Sequence, residues 1–209
     1  MLVVGAKGFA KEVLAVLSQN GSDKDLVFYD DLSQNLPDKL YGKYPVLRNE
    51  REATAHFARS GKRFALGLGN PHLRHKLFAK FESLGGVHTT VISPYAKISE
   101  FNNRIESGTT ILTDVVIEAD NHIQTGTLIH VGSFVSHDIS IGKFCEISPF
   151  VKLLGGVSIG DFCQLGTGCI VLPKVKLGNN VIVGAGAVVT RDIPSDTKVV
   201  GIPARPSIS

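Results

Sequence analysis

From Ile105, stepping by six, the chain places Ile111, Ile117, Ile123, Ile129, Val135, Ile141, Ile147, Leu153, Ile159, Leu165, Val171, Leu177, Val183 and Val189 in unbroken succession. Every one is Ile, Leu or Val. Four residues beyond each lies a mostly small or β-branched position: Val115, Thr127, Ser133, Val151, Cys163, Val181, Ala187. Ile92 and Ile98 extend the register backward if one extra residue is allowed near Asn102. An α-helix repeats its apolar stripe every 3.6 residues and a plain strand every two, so a period of six belongs to neither. It suits a prism in which each hexapeptide is one short strand plus a corner. Three hexapeptides then close an 18-residue coil, and stacked coils pair by parallel ladders ~4.8 Å apart. The aliphatic residue points inward on every face, and roughly five coils follow. Glycines just after the aliphatic position, at 142, 160, 166, 178 and 184, fit corners that are crowded or that need a positive φ. The period leaves the hand of the coil open; the rule for parallel crossovers taken alone favours a right-handed one.

The first 90 residues follow another pattern. Leu2 to Val4 read as a buried strand, Gly5 to Gly8 as a turn, and Ala10 to Leu17 as a helix burying Val13, Leu14, Val16 and Leu17. A second strand, Val27 to Tyr29, ends in Asp30 and Asp31. A helix from about Glu50 to Arg59, a strand at Phe64 to Leu68, and a helix capped by Asn70 with Pro71 at its first position continue the alternation. Such alternation predicts a small parallel, Rossmann-like α/β domain over residues 1–92, followed by the β-helix over 93–209.

Composition adds limits. The 22 glycines, one methionine and absent tryptophan suit a turn-rich repeat, and a net charge of +3, spread evenly, marks neither a nucleic-acid binder nor a membrane-surface binder. No apolar run approaches the ~18 to 20 residues that span a bilayer. Cys145, Cys163 and Cys169 form no CxxC pair and all stand four residues after a core aliphatic, which predicts buried packing and a cytoplasmic protein. The opening turn supplies only the first glycine of a dinucleotide fingerprint, since Lys7 and Ala10 occupy the other two positions. Hydride chemistry is therefore disfavoured. The helix start at Gly8, Phe9 and Ala10 still suits an anion.

At this point the residues carry a resemblance across essentially the whole chain. The opening Val3-Val4-Gly5-Ala6-Lys7-Gly8-Phe9-Ala10-Lys11-Glu12-Val13, the Tyr29-Asp30-Asp31 strand end, the Gly67-Leu68-Gly69-Asn70 turn, the His137-Asp138 pair and the terminal Gly201 to Arg205 segment carry it. The chain resembles the sugar acetyltransferases that include bacterial sialic acid O-acetyltransferases and N-acetyltransferases of nucleotide-linked amino sugars. The resemblance implies a left-handed β-helix, a homotrimer with acyl-CoA in a groove between subunits, and a nucleotide-sugar held partly by the α/β domain. Acetyl-CoA is then the co-substrate and no metal is needed. The implied reaction places an acetyl group on the amino group of a nucleotide-linked amino sugar in bacterial surface-glycan synthesis. O-acetylation of the sialic-acid type and a non-catalytic nucleotide-sugar-binding scaffold are the alternatives. A metal-dependent hydratase would need three converging histidines, but His122, His130 and His137 occupy different phases of the repeat.

The resemblance makes His137 the general base with Asp138 beside it, a pairing that suits an imidazole held by a carboxylate at its second nitrogen. Gly155, 18 residues on, stands one coil above His137 as a candidate oxyanion donor. Glu146, Thr167, Ala185 and Arg205 are expected along the donor, with Lys174 and Arg191 as further phosphate candidates. Gly8, Phe9, Ala10, Asp30, Asp31 and Gly69 are expected at the nucleotide-sugar. Two positions depart from the pattern: Phe9 stands where the family often has histidine, and Glu146 where a second histidine often follows the first by nine residues. Glu146 is expected near the donor slot, holding a cationic amine of the acceptor.

Overall fold

The structure, a computed structural model, describes residues 1–207, which fall into two compact units divided after Pro94. The first contains β1 (Leu2–Val4), α1 (Gly8–Gln19), β2 (Val27–Tyr29), β3 (Lys39–Leu40), β4 (Tyr44–Leu47), α2 (Glu50–Ser60), β5 (Arg63–Leu66), α3 (Pro71–Ser83) and β6 (Val87–His88). The sheet runs β3-β4-β2-β1-β5-β6 and is parallel except for the β3 edge. Buried on both faces, β1 is uniformly apolar, with β2 on one side and β5 on the other. Asn49 accepts from the Glu52 N–H while Glu52 accepts from the Arg48 N–H, and Asn70 accepts from the Leu73 N–H. Such caps each stabilise a helix by about 1 kcal/mol.

The strands β3, β4 and β6 were not expected. In β4, Pro45 reads as a breaker, yet it is tolerated because β4 lies near the edge, and Val46 and Leu47 still pair with Phe28 and Tyr29. The other two are two-residue strands, too short for any periodicity.

The second unit is a three-faced parallel β-helix. Its first face includes Thr110–Ile111, Leu128–Ile129, Glu146–Ile147, Gln164–Leu165, Ile182–Val183 and Lys198–Val200, closed by antiparallel Arg205–Pro206. The second stacks Lys97–Ile98, Val116–Ile117, Phe134–Val135, Lys152–Leu153, Ile170–Val171 and Val188–Val189. The third stacks Arg104–Ile105, His122–Ile123, Ser140–Ile141, Ser158–Ile159 and Lys176–Leu177. Ladder partners differ by 18 residues in the body, as in Val116 with Phe134, while Ile98 pairs with Ile117, which locates the extra residue before Arg104. From Ile111 to Val189 every six-step aliphatic is at most 3% exposed. Ile105, in the first coil, is only half-buried. All three cysteines are buried and form no disulfide among the described residues.

Corner conformation decides between the two roles expected for the glycines. Gly142, Gly160, Gly166, Gly178 and Gly184 are required by crowding alone, since a Cβ on any of them would come within 2.7 Å of the next layer. The left-handed residue lies two positions later and is often not glycine: Phe144, Phe162 and Asn180 have φ of 52°, 59° and 56°. Such backbone costs roughly 1 kcal/mol or more for a bulky residue. Here rings stack along the corner: Phe144 covers Gly126, and Phe162 lies parallel to Phe144 with centroids 6.0 Å apart.

Candidate active site

His137 and Asp138 form the corner between the second and third faces. The His137 Nδ1 lies 2.7 Å from Asp138 Oδ2, with both side chains mostly exposed. Asp138 is left-handed, φ 58°, a conformation that Asp tolerates better than most residues. This contact occupies Nδ1, and Nε2 has no hydrogen-bond partner among the described residues. One coil above, Gly156 N–H donates to the His137 carbonyl at 3.0 Å. A Cβ on Gly155 would stand 2.7 Å from both Cε1 and Nε2 of the imidazole. The positive φ belongs to Gly156, at 73°, and not to Gly155. The turn therefore does not require glycine at 155; the histidine ring does.

The three corners differ in their backbone donors. At the corner between the third and first faces, side chains one coil higher cap the main chain: Asp161 accepts from Lys143 N–H, Asn179 from Asp161 N–H and Ser195 from Asn179 N–H, at 2.8 to 2.9 Å. At the other two corners, the equivalent N–H groups of Val131, Thr167 and Ala185, and of His137 and Gly155, have no partner among the described residues. Those rows of outward donors suit amide and thioester carbonyls. Sequence spacing held the signal of the capped corner, Asp161-Asn179-Ser195, but its meaning lay in the contrast with the others.

The remaining donor candidates are dispersed. Thr167 and Ala185 are exposed at the corner between the first and second faces. Glu146 lies on the first face, across the prism from His137, with its Oε1 3.7 Å from His130 Nε2. One chain therefore does not bring Glu146 to its own His137. Lys174, Arg191 and Arg205 are exposed, and Arg205 Nη1 donates to the Ala204 carbonyl. Among the described residues, no three His, Cys, Asp or Glu side chains are grouped closely enough to hold a metal, and no helix is long and apolar enough to cross a membrane.

In the first unit, a cleft of about 220 Å³ opens at the carboxyl ends of β1, β2 and β5, where the chain order reverses across the sheet. That is where open α/β sheets bind ligands. Its walls are apolar, with Leu68 and Leu77 beside Leu32, 84% exposed, and Leu73, and with Asp30 and Asp31 at the end of β2. A larger crevice of about 380 Å³ at the opposite end of β2 holds a paired Asp23-Lys43-Tyr44 cluster and lies away from the strand ends.

Both aspartates are already engaged. Asp30 accepts from the Leu32 and Ser33 N–H groups and from the Ser33 hydroxyl, so it shapes the loop beside the cleft. Asp31 Oδ2 accepts from the Tyr29 hydroxyl at 2.8 Å and from Lys80 at 3.3 Å, and Lys80 also pairs with Glu50. Burial, reinforced by Asp31, pushes the Tyr29 phenol up to about 12, so it remains a donor. Burial alone would raise Asp31, but the bonds from Tyr29 and Lys80 together hold it below the usual carboxylate range. Lys80 went unnoticed in the sequence, where one lysine on a helix has no distinguishing pattern. Gly8 is exposed, Phe9 half-buried, and the first helical bond closes at Lys11. Ala10 is wholly buried, main chain included, against Gly67. Gly69 lies beyond β5, its carbonyl held by buried Arg74 at 2.8 Å.

Comparison with known proteins gives these features a context. Residues 1–81 match the family described as the PglD N-terminal domain, and residues 156–191 match the bacterial transferase hexapeptide of six repeats. A histidine-to-alanine variant of GDP-perosamine N-acetyltransferase from Caulobacter crescentus, solved with CoA and GDP-perosamine, is 30% identical with a TM-score of 0.92, the match covering 100% of this chain and 96% of that one. WeeI from Acinetobacter baumannii is 30% identical at 0.90, over 99% and 98%. The acetyltransferase domain of PglB from Neisseria gonorrhoeae, also solved with acetyl coenzyme A, is 28% identical at 0.87, over 99% and 98%. The chain belongs to the hexapeptide-repeat, acetyl-CoA-dependent sugar acetyltransferases, in which a PglD-type α/β domain precedes a left-handed parallel β-helix.

Proposed function

We propose that this protein transfers the acetyl group of acetyl-CoA to the amino group of a nucleotide-linked amino sugar, working in the cytoplasm as a homotrimer whose sites lie between subunits. The observation that carries the reading is the carboxylate-held imidazole of His137 set against Gly155, whose N–H has no partner among the described residues. The relative from Caulobacter crescentus holds CoA and a nucleotide-linked amino sugar together, which supports the substrate class.

In this mechanism His137 Nε2 takes a proton from the acceptor as its nitrogen attacks the thioester carbonyl carbon. The new C–N bond forms while the carbonyl π pair moves to oxygen, where the Gly155 N–H stabilises it. Collapse breaks the C–S bond, and His137 returns its proton to the departing sulfur. An acceptor arriving as an ammonium ion gives up one further proton to solvent, so the products are the N-acetyl sugar, CoA thiol and one proton. The outward N–H groups of Thr167 and Ala185 suit the amides of the pantetheine arm. Lys174, Arg191 and Arg205 suit the CoA phosphates. The α/β cleft suits the nucleotide, its phosphates at the start of α1 and its base or ribose near Asp31.

A trimer accounts for Glu146, which on the face opposite the His137 corner meets an active site only if that site belongs to a neighbour. Three reduced cysteines accord with a reducing compartment. The test is thiol release from acetyl-CoA with a panel of GDP-, UDP- and dTDP-linked amino sugars beside hydroxyl-only counterparts. Turnover confined to the amino sugars is expected. Turnover of the hydroxyl counterparts alone overturns the assignment.

A further inference from the structure

Within the β-helix the ionisable residues are not evenly distributed. Residues 95–142 contain the carboxylates Glu100, Glu106, Asp114, Glu118, Asp120 and Asp138 against two cations, Lys97 and Arg104. From residue 143 to 207 the balance reverses, with seven Lys and Arg against four Asp and Glu. His137 stands at the boundary. The basic coils above it suit an anionic donor, leaving the acidic coils below to whatever meets the donor at His137.

One carboxylate in the acidic half is placed to act on the acceptor. Asp138 N–H donates to the Ala119 carbonyl at 3.2 Å, which puts Asp120 on the same corner one coil, about 5 Å, beneath Asp138. Both residues are left-handed, with φ of 61° and 58°, so the two turns present their side chains from equivalent positions. Asn102, a coil lower again and also left-handed, donates its Nδ2 to Asp120 Oδ1 at 2.9 Å. That bond orients the carboxylate and leaves Oδ2 open to solvent, since Asp120 is exposed and its side chain makes no other bond among the described residues. The left-handed turn explains why a short polar residue stands there, because Asn and Asp favour that backbone. It does not require a charge, which Asn102 and Asn180 lack in the same conformation.

We infer that Asp120 is a specificity-determining residue, its carboxylate drawing the charged amino group of the acceptor to His137 from the acidic side. The inference rests on the N-acetyltransfer reading and adds to it a residue and a reason for preferring an amine. An ammonium ion held by Asp120 lies within one coil of the imidazole that takes its proton. Glu146, the carboxylate expected from sequence to hold the amine, lies on the opposite face of the same chain.

Asp120→Asn isolates the charge, because asparagine tolerates the left-handed backbone and its Oδ1 still accepts from Asn102. With GDP-perosamine, or whichever amino sugar of the panel the wild type uses, the acceptor KM is expected to rise about tenfold near neutral pH, as expected for loss of a charge-assisted bond. The CoA Kd should stay unchanged. The KM penalty should shrink as pH rises through the titration of the acceptor amine, since a neutral amine gains little from a carboxylate. An unchanged KM across the range, or a penalty equal at all pH values, overturns the role of Asp120 while leaving the reaction standing. A wild type that acetylates only hydroxyl acceptors overturns both.

Discussion

Gly155 is where sterics and chemistry meet most closely. Its backbone needs no glycine, yet a single methyl there would stand 2.7 Å from the His137 ring. Gly155→Ala should therefore push the imidazole off its seat without straining the turn. We expect kcat to fall at least tenfold while Tm changes little, because general-base catalysis contributes ~10²- to 10⁴-fold only from a correctly placed base. A variant with unchanged kcat would mean that the ring does not act from this position. Of the candidate site, the His137-Asp138 pair and the 18-residue spacing to Gly155 were legible from sequence. That Asp30 is bound within its own loop was not, because its partners are main-chain groups whose orientation only the folded loop fixes.

At the scale of elements, Lys80 ties α3 to Tyr29 and Asp31 of the β2 end and to Glu50 at the start of α2. Lys80→Met should release the Asp31 carboxylate and raise the acceptor KM severalfold with kcat preserved, and Lys80→Arg should recover part of the loss. Equal loss of kcat and KM in a steady-state assay would instead indicate general disruption of the unit. On β6, His88 stacks against Phe64 at 5.0 Å, and burial, followed by the Arg74 charge, depresses it to about 4. With its folded value below the ordinary 6.5, the native state binds fewer protons between the two. The stability associated with neutral His88 is thus present above about pH 6.5 and lost as pH falls toward 4, an effect of about 3 kcal/mol at most. Melting followed from pH 7 to 4 should show that fall, and His88→Phe should flatten it. The six-residue period disclosed the three faces because one inward side chain per strand decides the pattern. It did not disclose Phe144, Phe150 and Phe162 in left-handed turns, since ring contacts with the neighbouring coil offset a local preference against them. The strand β4 escaped notice for a similar reason, its pairing with β2 overriding Pro45.

At the scale of the whole molecule, the β-helix is one scaffold with corners of unlike character: one capped by its own side chains, two with open main-chain donors, and His137 on one of the open pair. With Glu146 across the prism, the proposed trimer would gather these features at one site. Light scattering should give three times 22.4 kDa at assay concentrations, and a monomer that retains full activity would contradict sites between subunits. The most direct measurement is the pH profile of kcat/KM for acetyl transfer to the amino sugar by the wild type and His137→Ala. In the variant kcat is expected to fall by about 10²- to 10⁴-fold and the acidic limb that a general base imposes to disappear, with the CoA Kd and Tm unchanged. A variant that keeps near wild-type kcat and the same acidic limb would contradict that expectation, placing the proton with another group.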